Sequence, residues 1–170
     1  DEDGGKVKCI YDAKEGMITT ADLSYDGKEI VFALKLGGMV RCRPIAHAFD
    51  IPRDVAKNNY QIWRINIDGT GLKQLTGDKS NNLDPCWLPD GGIGFISDRK
   101  PAYAYCYVVT SPVLYRMESD GSKQIRLSAN YLMDFTPSVL NDGRIIYTRW
   151  EYVDRPACPI QSLWAIKPDG

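Results

Sequence analysis

Histidine is almost missing from this chain: His47 is the sole example among 170 residues. A Ser-His-Asp triad or a multi-histidine metal site needs partners that one imidazole cannot supply. The five cysteines, Cys9, Cys42, Cys86, Cys106 and Cys158, include no CxxC pair and no CxxCH motif. Neither a zinc knuckle nor a covalently attached c-type haem can therefore be built locally. An odd count leaves at least one thiol unpaired within the chain. The rest read as scattered free thiols or as a disulfide such as Cys86–Cys106, whose members flank one predicted hairpin region.

A basic excess is missing too. Lys and Arg total 21 against 22 Asp and Glu, giving a net charge of −1, and no basic cluster stands out, so nucleic acid is not expected as a partner. No apolar run approaches the ~18 residues of a membrane span, and no signal peptide is present. The chain opens on Asp1, Glu2 and Asp3, so any export signal is expected outside this stretch. A sustained helical period with caps is also absent. With 44% hydrophobic and 25% charged residues, the composition is that of a folded domain and not of a disordered chain.

What the sequence does have is an internal repeat. ADLSYDGKEIVFALK from Ala21, DPCWLPDGGIGFISDRK from Asp84 and FTPSVLNDGRIIYTRWE from Phe135 each place an Asp-Gly turn before a short apolar strand. Each is followed, after a variable stretch, by an aromatic strand and a second Asp-Gly turn: YQIWRINIDGTGLKQLT from Tyr60, VLYRMESDGSKQIRLS from Val113 and SLWAIKPDG from Ser162. The second turn recurs at Asp68, Asp120 and Asp169, separations of 52 and 49 residues. A period of roughly 50 belongs to propeller-like arrays and not to helical solenoids.

Asp-Gly between two β-prone runs is a strong hairpin signal, and Tyr60–Ile67 alternates as a half-buried strand does. Gly94, inside the run Ile93–Ile96, marks a place where a neighbouring group comes close. The chain is thus all-β, a single partial propeller domain of about three four-stranded antiparallel blades covering about residues 18–76, 83–128 and 133–170. A blade has two apolar faces and needs neighbours on both. Three blades cannot close a ring, so these are expected to belong to a larger, six- or seven-bladed propeller or to a half-ring that associates with itself. The last unit stops at Gly170, before its fourth strand. That strand is expected to be missing, or to come from the N-terminal run Lys6–Tyr11 or a partner chain.

The order of aromatic strand, DG turn and Leu-Thr or Leu-Ser ending resembles the TolB-type propeller repeats of bacterial envelope proteins, from Ala21 to Gly170. The stretch TPSVLNDGRIIYTRWEYVDRPACPIQSLWAIKPDG is similar to the propeller segment of proteins related to the hydrazine synthase alpha subunit. The resemblance implies the fold and a periplasmic or secreted location. It implies no cofactor in this chain, because the haem-attachment motifs have no match, and leaves haem to the parent protein.

Arg99 and Arg149 read as equivalent positions just after the second strand, with Asp84 and Asp134 just ahead of the first and Asp22 a looser match. That recurrence suggests an Arg–Asp bridge between strand ends or blades. Arg149, Glu151, Tyr152 and Asp154 also enter a long loop, and loops on rigid scaffolds carry function. The insertions Lys35–Asn59 and Lys100–Pro112 should emerge at one end of the propeller. In the second, Tyr103, Tyr105 and Tyr107 surround Cys106, suited to stack on a sugar, a partner domain or a haem edge, or to pack on their own blade. The four tryptophans are expected between blades. The leading functional expectation is a non-catalytic scaffold or binding module that holds protein partners or neighbouring blades. The rivals are the propeller of a hydrazine-synthase-alpha-like haem enzyme and a carbohydrate-binding or carbohydrate-active propeller.

Overall fold

Chain reversal in this protein is encoded by the Asp-Gly pairs. In the computed structural model, which describes residues 5, 7–37, 56–100, 102–104, 109–152 and 161–170, the glycine amide of each pair donates to the carbonyl three residues back, as Gly27 does to Ser24 at 2.8 Å and Gly91 to Leu88 at 2.9 Å. All six turn glycines have φ between 70° and 100°, whereas none of the turn aspartates has positive φ. The pair therefore fills the third and fourth places of the turn, not the two central places of a type I′ hairpin. Each aspartate that continues into a following strand accepts the amide two residues on, for example Thr70 to Asp68 and Ser122 to Asp120, both at 2.8 Å. The hydroxyls of Thr70 and Ser122, and then these amides, hold the Asp68 and Asp120 carboxyls below the usual carboxylate range.

Among the described residues eleven strands result: β1 Met17–Leu23, β2 Glu29–Lys35, β3 Gln61–Asn66, β4 Lys73–Gln74, β5 Asn82–Trp87, β6 Ile93–Ser97, β7 Val113–Met117, β8 Ile125–Arg126, β9 Asp134–Val139, β10 Ile145–Trp150 and β11 Gln161–Ile166. They form antiparallel sheets ordered β1-β2-β3-β4, β5-β6-β7-β8 and β9-β10-β11, each running in chain order from its innermost strand outwards. These are propeller blades. Among the described residues the third sheet has three strands, without the fourth that was expected to be missing or to come from elsewhere. Of the run Lys6–Tyr11 considered as one source of a fourth strand, residues 7–11 are described and pair with no strand of the third sheet. Ile10 and Tyr11 pack on Phe32, Leu34 and Ile65 of the first sheet, with the Tyr11 and Phe32 rings 5.7 Å apart.

Alternation along the strands gives each sheet two apolar faces, which stack face to face. Val31, Ala33 and Ile62 of the first sheet meet Trp87, Ile93, Phe95, Tyr115 and Met117 of the second. The opposite face of the second sheet, with Cys86, Leu88 and Leu114, meets Ile145 and Tyr147 of the third. Gly94 lies in this second interface, where a Cβ would stand 3.1 Å from the Cys86 sulfur and 3.8 Å from the Ile145 side chain. Trp87 and Trp150 are buried as expected, while Trp164 stays half-exposed beneath the Arg149 guanidinium, 4.5 Å from its ring.

Candidate functional site

The innermost strands β1, β5 and β9 run side by side, and each carries a break in register at the same repeat position: between Ile18 and Ala21, between Leu83 and Cys86, and opposite Ile146–Thr148. At two of these bulges a residue with positive φ precedes a proline, Asp84 (48°) before Pro85 and Thr136 (44°) before Pro137. Proline is tolerated there because the bulged residue owes no ladder hydrogen bond. The bulges turn Thr20, Asp22, Asp84, Cys86, Thr136 and Ser138 into a cavity of about 360 Å³ on the line of the propeller channel.

Both carboxylates in this cavity tie blades together. Asp22 accepts the Trp87 amide of the next sheet at 2.7 Å, and Asp84 accepts the Thr136 amide of the one after at 3.3 Å. Beside them the Cys86 thiol is free and buried, in line with the free-thiol alternative, while Cys106 lies outside the described residues. Burial, with the Asp22 charge second, pushes its pKa up to about 12. Tyr25 on the same wall is raised for the same two reasons in the same order. Such a thiol is a small buried apolar group and not a nucleophile. Alkylation at pH 8 is expected to label exposed Cys9 in the native protein and to spare Cys86 until the chain unfolds; labelling of Cys86 at the Cys9 rate would refute this. An unfolded thiol ionises near pH 9 while the folded one keeps its proton to about 12, so stability falls as pH rises through that window.

The loops that follow β2, β6 and β10, and the one joining β4 to β5, leave from the end of the sheets opposite the six Asp-Gly turns. Here Asp98 accepts the Asn81 amide at 2.8 Å and the Thr110 hydroxyl at 2.7 Å. Arg99 pairs with Asp78 at 3.0 Å, donates to Asn82 Oδ1 at 2.9 Å and to Gln124, and lies 5.0 Å from the centre of the Tyr115 ring. Lys79, Asp98, Arg99, Lys100, Tyr103 and Thr110 border a cleft of about 270 Å³. Burial, and the nearby Arg126 charge after it, lower the Lys100 pKa, and its ammonium donates to the Asn130 carbonyl at 3.0 Å.

The sequence-derived site residues divide. Tyr103 is 53% exposed at the rim of this cleft and bridges to Thr110. Arg149 and Glu151 form a 3.8 Å ion pair, and Tyr152 stacks on Trp150 at 6.1 Å. Tyr105, Tyr107, Asp154, Cys106 and His47 lie outside the described residues.

Two equivalences need correction. Strand pairing sets Ser97 against Val113 and Arg149 against Ser162, so Arg149 matches Ser97 and Arg99 lies two residues further on. Both guanidiniums still reach the same ring position, Tyr115 in one blade and Trp164 in the next. Likewise Asp84 sits inside β5 at the bulge, whereas Asp134 opens β9, fully buried, and accepts the Leu114 amide. Neither forms the expected Arg–Asp bridge, and the carboxylate paired with Arg99 is Asp78. The channel ties of Asp22 and Asp84 were not foreseen. The signal for the second was an Asp-Pro and a Thr-Pro pair standing 52 residues apart.

No family model matches the chain, and no curated protein matches it in sequence. Solved structures do. TolB from Acinetobacter baumannii aligns with a TM-score of 0.56 at 18% identity, over 88% of this chain and 29% of its own. The Kuenenia stuttgartiensis hydrazine synthase gives 0.58 at 17%, over 78% and 21%. An oligogalacturonate lyase in complex with manganese gives 0.59 at 13%, over 91% and 40%. The chain thus has the TolB-like propeller fold and spans less than a third of that Acinetobacter TolB structure. Among the described residues no helix is long and apolar enough to cross a membrane.

Proposed function

We propose that this chain is a non-catalytic binding module of an exported bacterial protein, engaging a protein partner at the loop end of its blades. The observation that carries this reading is how its polar groups are used. The channel carboxylates Asp22 and Asp84 are engaged by main-chain amides, and the channel thiol is held protonated. These groups fasten blades together and are unsuited to acid–base or nucleophilic work. The loop end instead offers a cleft bordered by Lys79, Lys100 and the half-exposed ring of Tyr103, mounted on strands that Asp98 and Arg99 hold rigid. An amphipathic ring beside ammonium groups suits an acidic or carbonyl-rich protein surface. In this reading the module carries no cofactor, and any haem belongs to other parts of a parent protein.

The test is a photo-cross-linking amino acid placed at Tyr103 or, at the opposite end, at Arg144, in cells making the protein. An adduct with a different envelope protein is expected from position 103 and not from 144. Equal adducts from both ends, or none from 103, would overturn the proposal.

A further inference from the structure

The polar groups of the loop-end cleft divide into those already spent and those still open, and the division is one-sided. Asp98 is buried, and its oxygens accept the Asn81 amide at 2.8 Å, the Asn81 side-chain amide at 3.1 Å and the Thr110 hydroxyl at 2.7 Å. That last bond also uses the Thr110 proton. The carbonyls of Lys100 and Ala102 accept the amides of Ala102 and Ser111. Arg99 directs Nε to Ser97, one terminal nitrogen to Gln124 and the other to Asn82 and Asp78.

What remains are donors. Among the described residues the Lys79 ammonium and the Ser80 hydroxyl, both on the cleft wall, have no hydrogen-bond or ion-pair partner. Lys100 commits one of its three ammonium protons, to the Asn130 carbonyl at 3.0 Å. That oxygen also accepts the Arg126 guanidinium at 2.9 Å, so two cations converge on one neutral acceptor. The opposing charge of Asp134 is already held by the Leu114 amide and the Asn130 side chain. Lys79 and Ser80 precede β5 and Lys100 follows β6, so strands of the second blade place all three.

A cleft whose open groups all donate calls for a ligand that only accepts. An ionised carboxylate does so, whereas an amide or a hydroxyl brings donors of its own. A phosphate also accepts only, but the guanidinium fork that holds phosphate bidentately is spent here in Arg99. The volume of about 270 Å³ admits a side chain and not a folded segment. At the rim the half-exposed Tyr103 ring offers a flat apolar wall.

We propose that this cleft clasps the carboxylate of an aspartate or glutamate in an acidic segment of the partner, with Lys79, Ser80 and Lys100 as donors and the Tyr103 ring against its stem. The inference rests on a protein partner engaging the loop end and adds the chemistry of that contact. A carboxylate beside Lys100 also offsets the burial and the Arg126 charge that lower its pKa.

Fluorescein-labelled hexaglutamate and hexaglutamine serve as probes, read by anisotropy. Hexaglutamate is expected to bind and hexaglutamine not to, with binding lost at about 0.5 M salt. Lys79→Gln and Lys100→Gln should each weaken it roughly five- to tenfold. Arg144→Gln, which removes the same charge at the opposite end, should leave it unchanged. Equal weakening by Arg144→Gln, or binding of both peptides alike, overturns the proposal. Should Lys100→Gln misfold, Lys79→Gln decides, because Lys79 holds no other group of the described chain. In cells, an aromatic photo-cross-linker at position 103 is expected to lose its adduct when Lys79→Gln and Lys100→Gln are combined. An undiminished adduct in that background overturns the carboxylate site and leaves the loop-end reading standing. No adduct even without these substitutions overturns that reading, and this inference with it.

Discussion

Gly121→Ala is expected to destabilise the protein by about 3 kcal/mol, while Gly91→Ala, at an equally unusual backbone angle, costs about 1 kcal/mol. Both glycines close Asp-Gly turns, with φ of 92° and 85°. A methyl group on Gly91 meets nothing within 4 Å, so only the left-handed strain of an L-residue is felt there. On Gly121 the same methyl group would run into the Leu75 carbonyl oxygen and stand 3.1 Å from the Leu75 carbonyl carbon and Cα. Those are main-chain atoms at the end of the neighbouring blade's outermost strand, and they cannot swing aside as a side chain would. Relief requires the blades to part where Leu75 fills their common core. For a chain of this size the difference corresponds to a melting temperature lower by roughly 4–8 °C in Gly121→Ala than in Gly91→Ala. Gly69→Ala, 3.1 Å from the Ile10 carbonyl, should fall between them. Urea melts of the three variants decide the matter, and equal midpoints for Gly91→Ala and Gly121→Ala would show that the junction yields freely.

The same junction illustrates what the sequence disclosed. The Asp-Gly pairs and their spacing of about 50 residues give the hairpins, the order of the strands and the number of blades, because a turn that needs positive φ leaves a mark in residue type. Gly94 likewise announced the close approach of Cys86 and Ile145. Reach leaves no such mark. Arg99 and Arg149 start from places two residues apart in the repeat and end on the same aromatic position, because a long flexible side chain can cover either distance. Nor does the sequence distinguish Asp22, which fastens the Trp87 amide across blades, from a solvated aspartate near a turn. The mismatch of Asp84 with Asp134 has a third cause. Asp84 precedes Pro85 as Thr136 precedes Pro137, at a bulge both strands share, and matching by residue type pairs it instead with the aspartate two residues ahead of that position. The candidate loop end was legible as an insertion of tyrosines, but its rigid support by Asp78, Asp98 and Arg99 comes from two separate segments.

Asp134→Ala should cost about 3–5 kcal/mol, the larger of the two side-chain effects expected at blade junctions. Asp134 is fully buried where β9 begins. One carboxyl oxygen accepts the amide of Leu114, in the third strand of the preceding blade, at 3.0 Å. The other accepts the side-chain amide of Asn130, itself fully buried, at 2.9 Å, and Asn130 in turn receives the Leu132 amide at 3.1 Å. Alanine removes both acceptors without admitting water, so the buried Leu114 amide loses its partner while the Asn130 side-chain amide loses one and keeps the Met133 carbonyl at 3.0 Å. Each such loss is worth about 1–3 kcal/mol. Asn at 134 restores one acceptor towards Leu114 but sets its NH₂ against that of Asn130, so Asp134→Asn should recover about half of the loss. Asp84 makes the corresponding tie to Thr136 at 3.3 Å, but beside a channel cavity that water can enter. Asp84→Ala is therefore expected to cost under about 1 kcal/mol, since solvent replaces the lost acceptor. Denaturant melts rank the three variants, and native-state exchange of the Leu114 amide locates the effect, which should be faster in Asp134→Ala and unchanged in Asp84→Ala. Equal costs at 84 and 134 would mean that burial does not set the strength of these ties, and that the channel strands bind the blades as firmly as the buried junction does.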